Sequence, residues 1–320
     1  MRLNIAEKTA RVKPTHPSTR GALHKNQLQL YTLLAVPILL VFVFCYLPMV
    51  GIIIAFKDYR YNTGIFGSKW CGLKNFEFFF RSDDFLKITW NTLYLNFLFI
   101  AFGIFFALVV AILLYDVKKR AAVKTFQTVL ITPYFLSWVV VSYMVYGFLS
   151  PQNGLLNSVL QSLGMETYDW YSKPDAWPVI LVVLSIWKNV GMDSVLYYAA
   201  LMSIDDSLFE AADLDGAGRL QKILHITIPS LVPIIIITAI LKIGNIFRAD
   251  FGLFYQITRD SGALYDVTDV IDTYIFRTMR TVGNMGMSTA VGFLQGIVGM
   301  VMVILTNKLS KRIDPDAGLF

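Results

Sequence analysis

Six long apolar runs decide what this chain can fold into. They are Leu30 to Phe56, Ile88 to Leu114, Phe126 to Leu149, Trp177 to Met202, Pro229 to Phe247 and Met287 to Thr306. Each approaches or exceeds the roughly 20 residues that a helix needs to cross a bilayer. Inside a bilayer the backbone must satisfy its own polar groups, so such runs become helices. The expected fold is therefore all-α, a polytopic membrane bundle of about six transmembrane helices. Of the 320 residues, 56% are hydrophobic and 16% are charged, against about a quarter charged in soluble domains. That leaves room for one membrane domain over residues 29–306. A basic tail (1–28) and a short C-terminal tail (307–320) flank it.

Charge sets the expected orientation. Residues 1–28 carry Arg2, Lys8, Arg11, Lys13, Arg20 and Lys25 against the single acid Glu7, without the apolar core of a signal peptide. Lys118, Lys119, Arg120 and Lys124 crowd the short loop after the second run, and Lys308, Lys311 and Arg312 follow the sixth. The positive-inside rule places these segments, both termini and the loop 203–228 in the cytoplasm. The net charge of +6 thus reads as basic membrane flanks. No basic stretch has the interleaved aromatics of a nucleic-acid groove, so no nucleic-acid partner is expected.

The chemistry is constrained by what the sequence lacks. It contains no Gly-x-x-x-x-Gly-Lys-Ser/Thr phosphate loop, no Gly-x-Ser-x-Gly elbow and no His-Glu-x-x-His. Cys45 and Cys71 are too few for a disulfide framework, and His16, His24 and His225 are scattered, so neither a metal nor a catalytic residue is expected. The charges inside the runs are Lys188, Asp193 and Lys242. One central acid is thin support for a proton or sodium path. Energy should come from a partner.

The most informative polar stretch is Glu210-Ala211-Ala212-Asp213-Leu214-Asp215-Gly216-Ala217, running on to Ile226-Thr227-Ile228-Pro229. Ser207 and Glu210 have capping-box spacing, which predicts a helix start near Ser207. Ala211 and Ala212 allow close backbone approach, and Gly216 suits a left-handed turn after the helix. A second short helix, about Arg219 to Ile226, follows, and Pro229 suits the first turn of the next span. The expected product is a helix-turn-helix with an acidic, small-residue face.

Glu-Ala-Ala, three residues, Gly, nine residues, Ile, one residue, Ile, Pro resembles the cytoplasmic loop of permease subunits of binding-protein-dependent ABC importers. Asn91-Thr92-Leu93 resembles the entry to the conserved core of the same family, and Asp215-Gly216-Ala217, Asp272-Thr273-Tyr274 and the stretch Gly283 to Gly292 resemble its carbohydrate-uptake branch, in particular alginate, aldouronate and maltose-type permeases. Ile228 replaces the usual Leu, and the large external domain of some maltose-type permeases is absent. The resemblance implies that Glu210, Ala211, Ala212, Asp215, Gly216 and Ala217 couple to an ABC ATPase dimer. ATP and magnesium would be bound by that partner, with no cofactor on this chain. A second homologous permease, an extracellular solute-binding protein, the lipid bilayer and a neutral oligosaccharide cargo complete the expected partners, with an amino acid, peptide or phosphate as the alternative cargo.

Sugars are held by aromatic faces and planar polar groups. Residues of those types are Trp138, Tyr143 and Tyr146 on the third run, Trp187, Asn189, Asp193 and Tyr197 on the fourth, and Asn245 on the fifth. Asn189, Asp193 and Tyr197 are spaced four apart and share a helix face. These are the candidate substrate-path residues. Lys188 and Lys242 are expected to pair with acids or snorkel, and Lys188 or Arg248 could serve a uronate. Residues Val267 to Met279 read as a short surface helix.

Overall fold

The computed structural model describes residues 31–82 and 84–313. The chain divides into two compact units, Met1–Ile52 and Ile53–Phe320. The tail 1–28 lies outside the described residues.

The first unit contains most of helix α1 (Tyr31–Phe56), whose most apolar stretch has a mean hydropathy of 2.8. Pro37 lies within regular α-helix, and the helix changes type ahead of Pro48. A π turn at Phe42–Tyr46 passes into a 3-10 stretch, Leu47–Phe56, that contains Pro48.

In the second unit a two-stranded hairpin, β1 (Lys57–Asp58) with β2 (Lys69–Trp70), precedes α2 (Lys74–Phe80). Then come α3 (Asp84–Tyr115), α4 (Arg120–Phe135), α5 (Trp138–Leu149), α6 (Leu155–Ser162) and α7 (Trp177–Leu201). A short helix α8 (Asp206–Leu214) leads to α9 (Arg219–Gly244), α10 (Ile271–Arg277) and α11 (Met285–Ile313). Among the described residues, five helices are long and apolar enough to span a membrane: α1, α3, α7, α9 and α11.

The third apolar run is not one helix. α4 and α5 meet at a 96° bend. Packing shows that the pair nonetheless makes one crossing. Leu95 of α3 and Trp177 and Leu181 of α7 share one buried cluster, while Ala107 and Ala111 of α3 and Leu201 of α7 share another. α3 and α7 therefore run in the same direction. The chain must return from the end of α3 to the start of α7, and α4–α5 is the segment that does so. Leu231 lies in the cluster with Leu201, whereas Ile246 and Arg248 reach the level of Asn96, so α9 runs oppositely. α11 runs against α9: Gln295 donates to the Phe247 carbonyl, and further along Val303 lies against Gly244. The described end of α11 is thus on the same side as α8. α11 continues seven residues past the expected boundary at Thr306, to Ile313.

The segment after α9 also differs from expectation. Val267 to Met279 is not a surface helix, because Val270, Ile271, Thr273 and Tyr274 are all buried. Asn91 Nδ2 donates to the Asp266 and Asp269 carbonyls, and Thr92 Oγ1 accepts from the Ile271 N–H at 3.0 Å. In a low-dielectric setting those bonds replace the water that a surface helix would use.

Candidate functional site

Two sites are built on this frame, a hairpin at one end and a cavity between the helices. The hairpin begins with a cap. Asp205 Oδ1 accepts the Ser207 N–H at 2.9 Å, so α8 starts at Asp206, one residue earlier than expected. The Ser207 backbone and hydroxyl hold the exposed Asp205 carboxyl below its usual range. The expected Ser207–Glu210 capping box is not what starts the helix, because Asp205 supplies the acceptor. Glu210 is left on the exposed face.

The far end of α8 closes by a Schellman motif. The Ala217 N–H reaches the Ala212 carbonyl at 2.9 Å, and the Gly216 N–H reaches the Asp213 carbonyl at 3.1 Å. Gly216 has φ +76°, a conformation that glycine adopts without a Cβ penalty. Gln221 Oε1 then accepts the Gly218 N–H at 2.7 Å, starting α9.

α9 contains both the second hairpin helix and the fifth span. The expected break at Pro229 is absent. A π turn over Ile223–Thr227, closed by the Ile228 N–H on the Ile223 carbonyl, accommodates the proline just ahead of it. The second hairpin helix and the span are therefore joined without an intervening loop.

One exposed ion pair links the hairpin to the end of α3, and a second closes the hairpin on itself. Arg219 pairs with Asp116 at the end of α3, and Lys222 Nζ pairs with Asp213 at 2.6 Å. Tyr115 meets Phe209 at a ring separation of 6.0 Å. A cavity of about 380 Å³ lies under α8, lined in part by Asp116, Asp206, Glu210, Asp213, Arg219 and Lys222. Its two cations are each paired with another acid, and among the described residues none pairs with Glu210. Ala211, Asp215 and Gly216 are exposed beside it, and Ala212 and Ala217 are half-buried.

The second site is a cavity of about 350 Å³ between α3, α7 and the C-terminal part of α9. It gathers Asn189, Asp193 and Asn245 of the candidate substrate-path residues, together with Asn96, Lys242 and Arg248. Lys242 Nζ pairs with Asp193 Oδ2 at 2.7 Å, as the expectation of an acid partner required. Asn96 was not legible as a site residue. It donates to the Ile246 and Arg248 carbonyls at 2.8 and 3.2 Å and so ties the end of α9 to α3.

The other candidates lie elsewhere. Tyr197 is buried and bonds Thr238 Oγ1 through its hydroxyl at 2.7 Å, an interhelical tie. Trp138 donates to Asp250 Oδ2 at 2.6 Å and packs on Gly252. Tyr143 lines a separate cavity of about 230 Å³ with Tyr255, Arg259 and Asp260. Tyr146 packs against Tyr171 and beneath the Arg259 guanidinium, 4.2 Å from its centroid. Trp187 is exposed and lines none of these cavities. Lys188 does not pair with an acid. Its Nζ donates to the carbonyls of Pro133 and Tyr134 at 3.2 and 3.0 Å and to that of Leu136.

Comparison with known proteins places these features. Residues 27–315 match the family described as binding-protein-dependent transport system inner membrane component. Protein LplB of Bacillus subtilis (strain 168) is 36% identical over 92% of this chain and 92% of its own length. The polygalacturonan/rhamnogalacturonan transport system permease protein YteP of the same organism is 34% identical over 91% and 90%. A crystal structure of a bacterial ABC transporter involved in the import of the acidic polysaccharide alginate superimposes with a TM-score of 0.81 and 33% identity. It covers 91% of this chain and 97% of the matched one.

Proposed function

Because this chain belongs to the family of binding-protein-dependent transport system inner membrane components, we propose that it is the permease subunit of an ATP-driven oligosaccharide importer. It pairs with a second, homologous permease, and each subunit offers its α8 hairpin to an ABC ATPase dimer, which binds the ATP and magnesium. An extracellular binding protein delivers the saccharide. Both chain termini and the hairpin face the cytoplasm, in line with the basic flanks. The saccharide reading draws on the polygalacturonan and alginate systems to which the chain is similar.

The observation that carries this reading is the hairpin. It presents the exposed carboxylate of Glu210 beside small residues, is closed by Gly216 and continues without a break into a membrane helix. Closure of the ATPase on ATP would shift α8, and α9 would convey that shift to the cavity wall that carries Lys242 and Asn245. The bundle would then alternate between inward and outward access. A secondary carrier is less well supported, since the central acid Asp193 is already paired with Lys242.

The test is co-expression with a candidate ATPase and second permease, followed by purification and reconstitution in liposomes. An importer subunit brings both partners through purification and moves saccharide only with ATP and loaded binding protein. Uptake by this chain alone contradicts the reading.

A further inference from the structure

The cavity between α3, α7 and α9 carries more positive charge than it neutralises. Three charged side chains line it: Asp193, Lys242 and Arg248. Asp193 and Lys242 satisfy each other at 2.7 Å. Arg248 is left over. It is exposed, and among the described residues no carboxylate oxygen forms an ion pair with it. The acid Asp272 interacts with Arg248 only at longer range, its Oδ2 accepting from the Ala249 N–H at 2.8 Å and from Gln295 Nε2 at 3.0 Å.

The rest of the lining suits a hydroxylated ligand. Asn96, Asn189, Asn245 and Ser185 carry both donors and acceptors, and Phe99 adds an aromatic surface. The volume of about 350 Å³ falls within the range of small-molecule sites. The Arg248 backbone is held in place at both ends: its carbonyl accepts from Asn96 Nδ2 at 3.2 Å, and its N–H donates to the Asn245 carbonyl at 2.9 Å. The side chain therefore starts from a fixed point on the cavity rim.

We infer that this cavity selects an acidic saccharide, with Arg248 receiving the carboxylate of a uronate unit while the asparagines bind its hydroxyls. This inference rests on the importer reading above and deepens it. A guanidinium presents a planar pair of donors that matches a carboxylate in bidentate fashion, which neither a lysine nor an amide can reproduce fully. A neutral saccharide would leave this cation unpaired in a cavity walled by membrane helices, so it gains less there.

The experiment uses the assembled importer in proteoliposomes with its binding protein. Uptake of galacturonate and mannuronate trisaccharides is compared with uptake of maltotriose and galactotriose. Each is measured for the wild type, Arg248→Lys and Arg248→Gln, alongside assembly of the complex. The expected result is preferential uptake of the acidic sugars by the wild type. Arg248→Gln lowers that uptake at least tenfold, Arg248→Lys retains an intermediate rate, and both variants assemble into the complex as the wild type does. Unchanged acidic uptake in Arg248→Gln overturns the inference, as does equal loss in both variants. Uptake of neutral sugars alone overturns it too but leaves the importer reading standing. Uptake of none of the four contradicts the oligosaccharide reading beneath it.

Discussion

The hairpin at α8 and the bend between α4 and α5 are both interruptions in a helical chain, and they are held in opposite ways. The hairpin is assembled from its own neighbours: Asp205 caps it, Gly216 turns it and Gln221 starts the next helix. The bend is held from a distance. Lys188, more than 50 positions along the chain, places its ammonium on three carbonyls around the break. That geometry sets the three donors of an ammonium against carbonyls at a helix C-terminus, of which that of Pro133 also accepts the Leu136 N–H. Asp250 holds the Trp138 indole at the start of α5. Gly191 lets α7 approach so closely that a Cβ there would stand 2.0 Å from the Leu130 carbonyl oxygen. The shape of the hairpin is set locally, and the exposed Arg219–Asp116 pair and the Tyr115–Phe209 contact link it to α3, whereas the bend owes its shape to distant contacts.

This contrast predicts that substitutions at the bend damage folding and that substitutions at the hairpin damage coupling. The largest effect is expected for Gly191→Val. The backbones of α4 and α7 would have to separate, so the protein should fail to accumulate in the membrane or to assemble, as judged by detergent extraction and size-exclusion chromatography. Lys188→Met comes next. It removes the ammonium from three part-buried carbonyls, of which that of Pro133 keeps the Leu136 N–H, and should destabilise the folded chain by about 1–2 kcal/mol, seen as a fall of several degrees in the thermal midpoint of the purified complex. Gly216→Val should cost about 1–2 kcal/mol locally, because a β-branched residue is forced to positive φ. Its main signature is reduced binding of the ATPase, with the thermal midpoint nearly unchanged. Arg219→Gln should be mildest, under about 1 kcal/mol, because its pair with Asp116 is solvent-exposed. Equal loss of stability at both sites would erase the distinction.

The same contrast explains what the sequence made legible. The spans of α3, α7, α9 and α11 follow from apolar length, and Gly216 follows from local turn chemistry. Pro133 marked the neighbourhood of the bend but not its angle, because its stabilising partners Lys188 and Gly191 are remote in sequence. Val267 to Met279 looked like a surface helix because its backbone is satisfied by the side chains of Asn91 and Thr92, which no local pattern reveals. At the cavity, the four-residue spacing of Asn189, Asp193 and Tyr197 gave a face of α7. Rotation along that face still separates Tyr197, which bonds Thr238, from the two residues that line the cavity. Asn96 gave no signal, since one asparagine in an apolar helix reads the same whether it binds a ligand or a backbone.

The central claim is that a locally built hairpin is the grip for an external motor. Glu210→Lys tests it most directly, because Glu210 is exposed and the described ion pairs assign it no partner within the chain. The measurement is ATPase activity of the reconstituted importer with and without loaded binding protein. The predicted result is loss of that stimulation with thermal stability and membrane level preserved; full stimulation in the Lys variant would contradict the account.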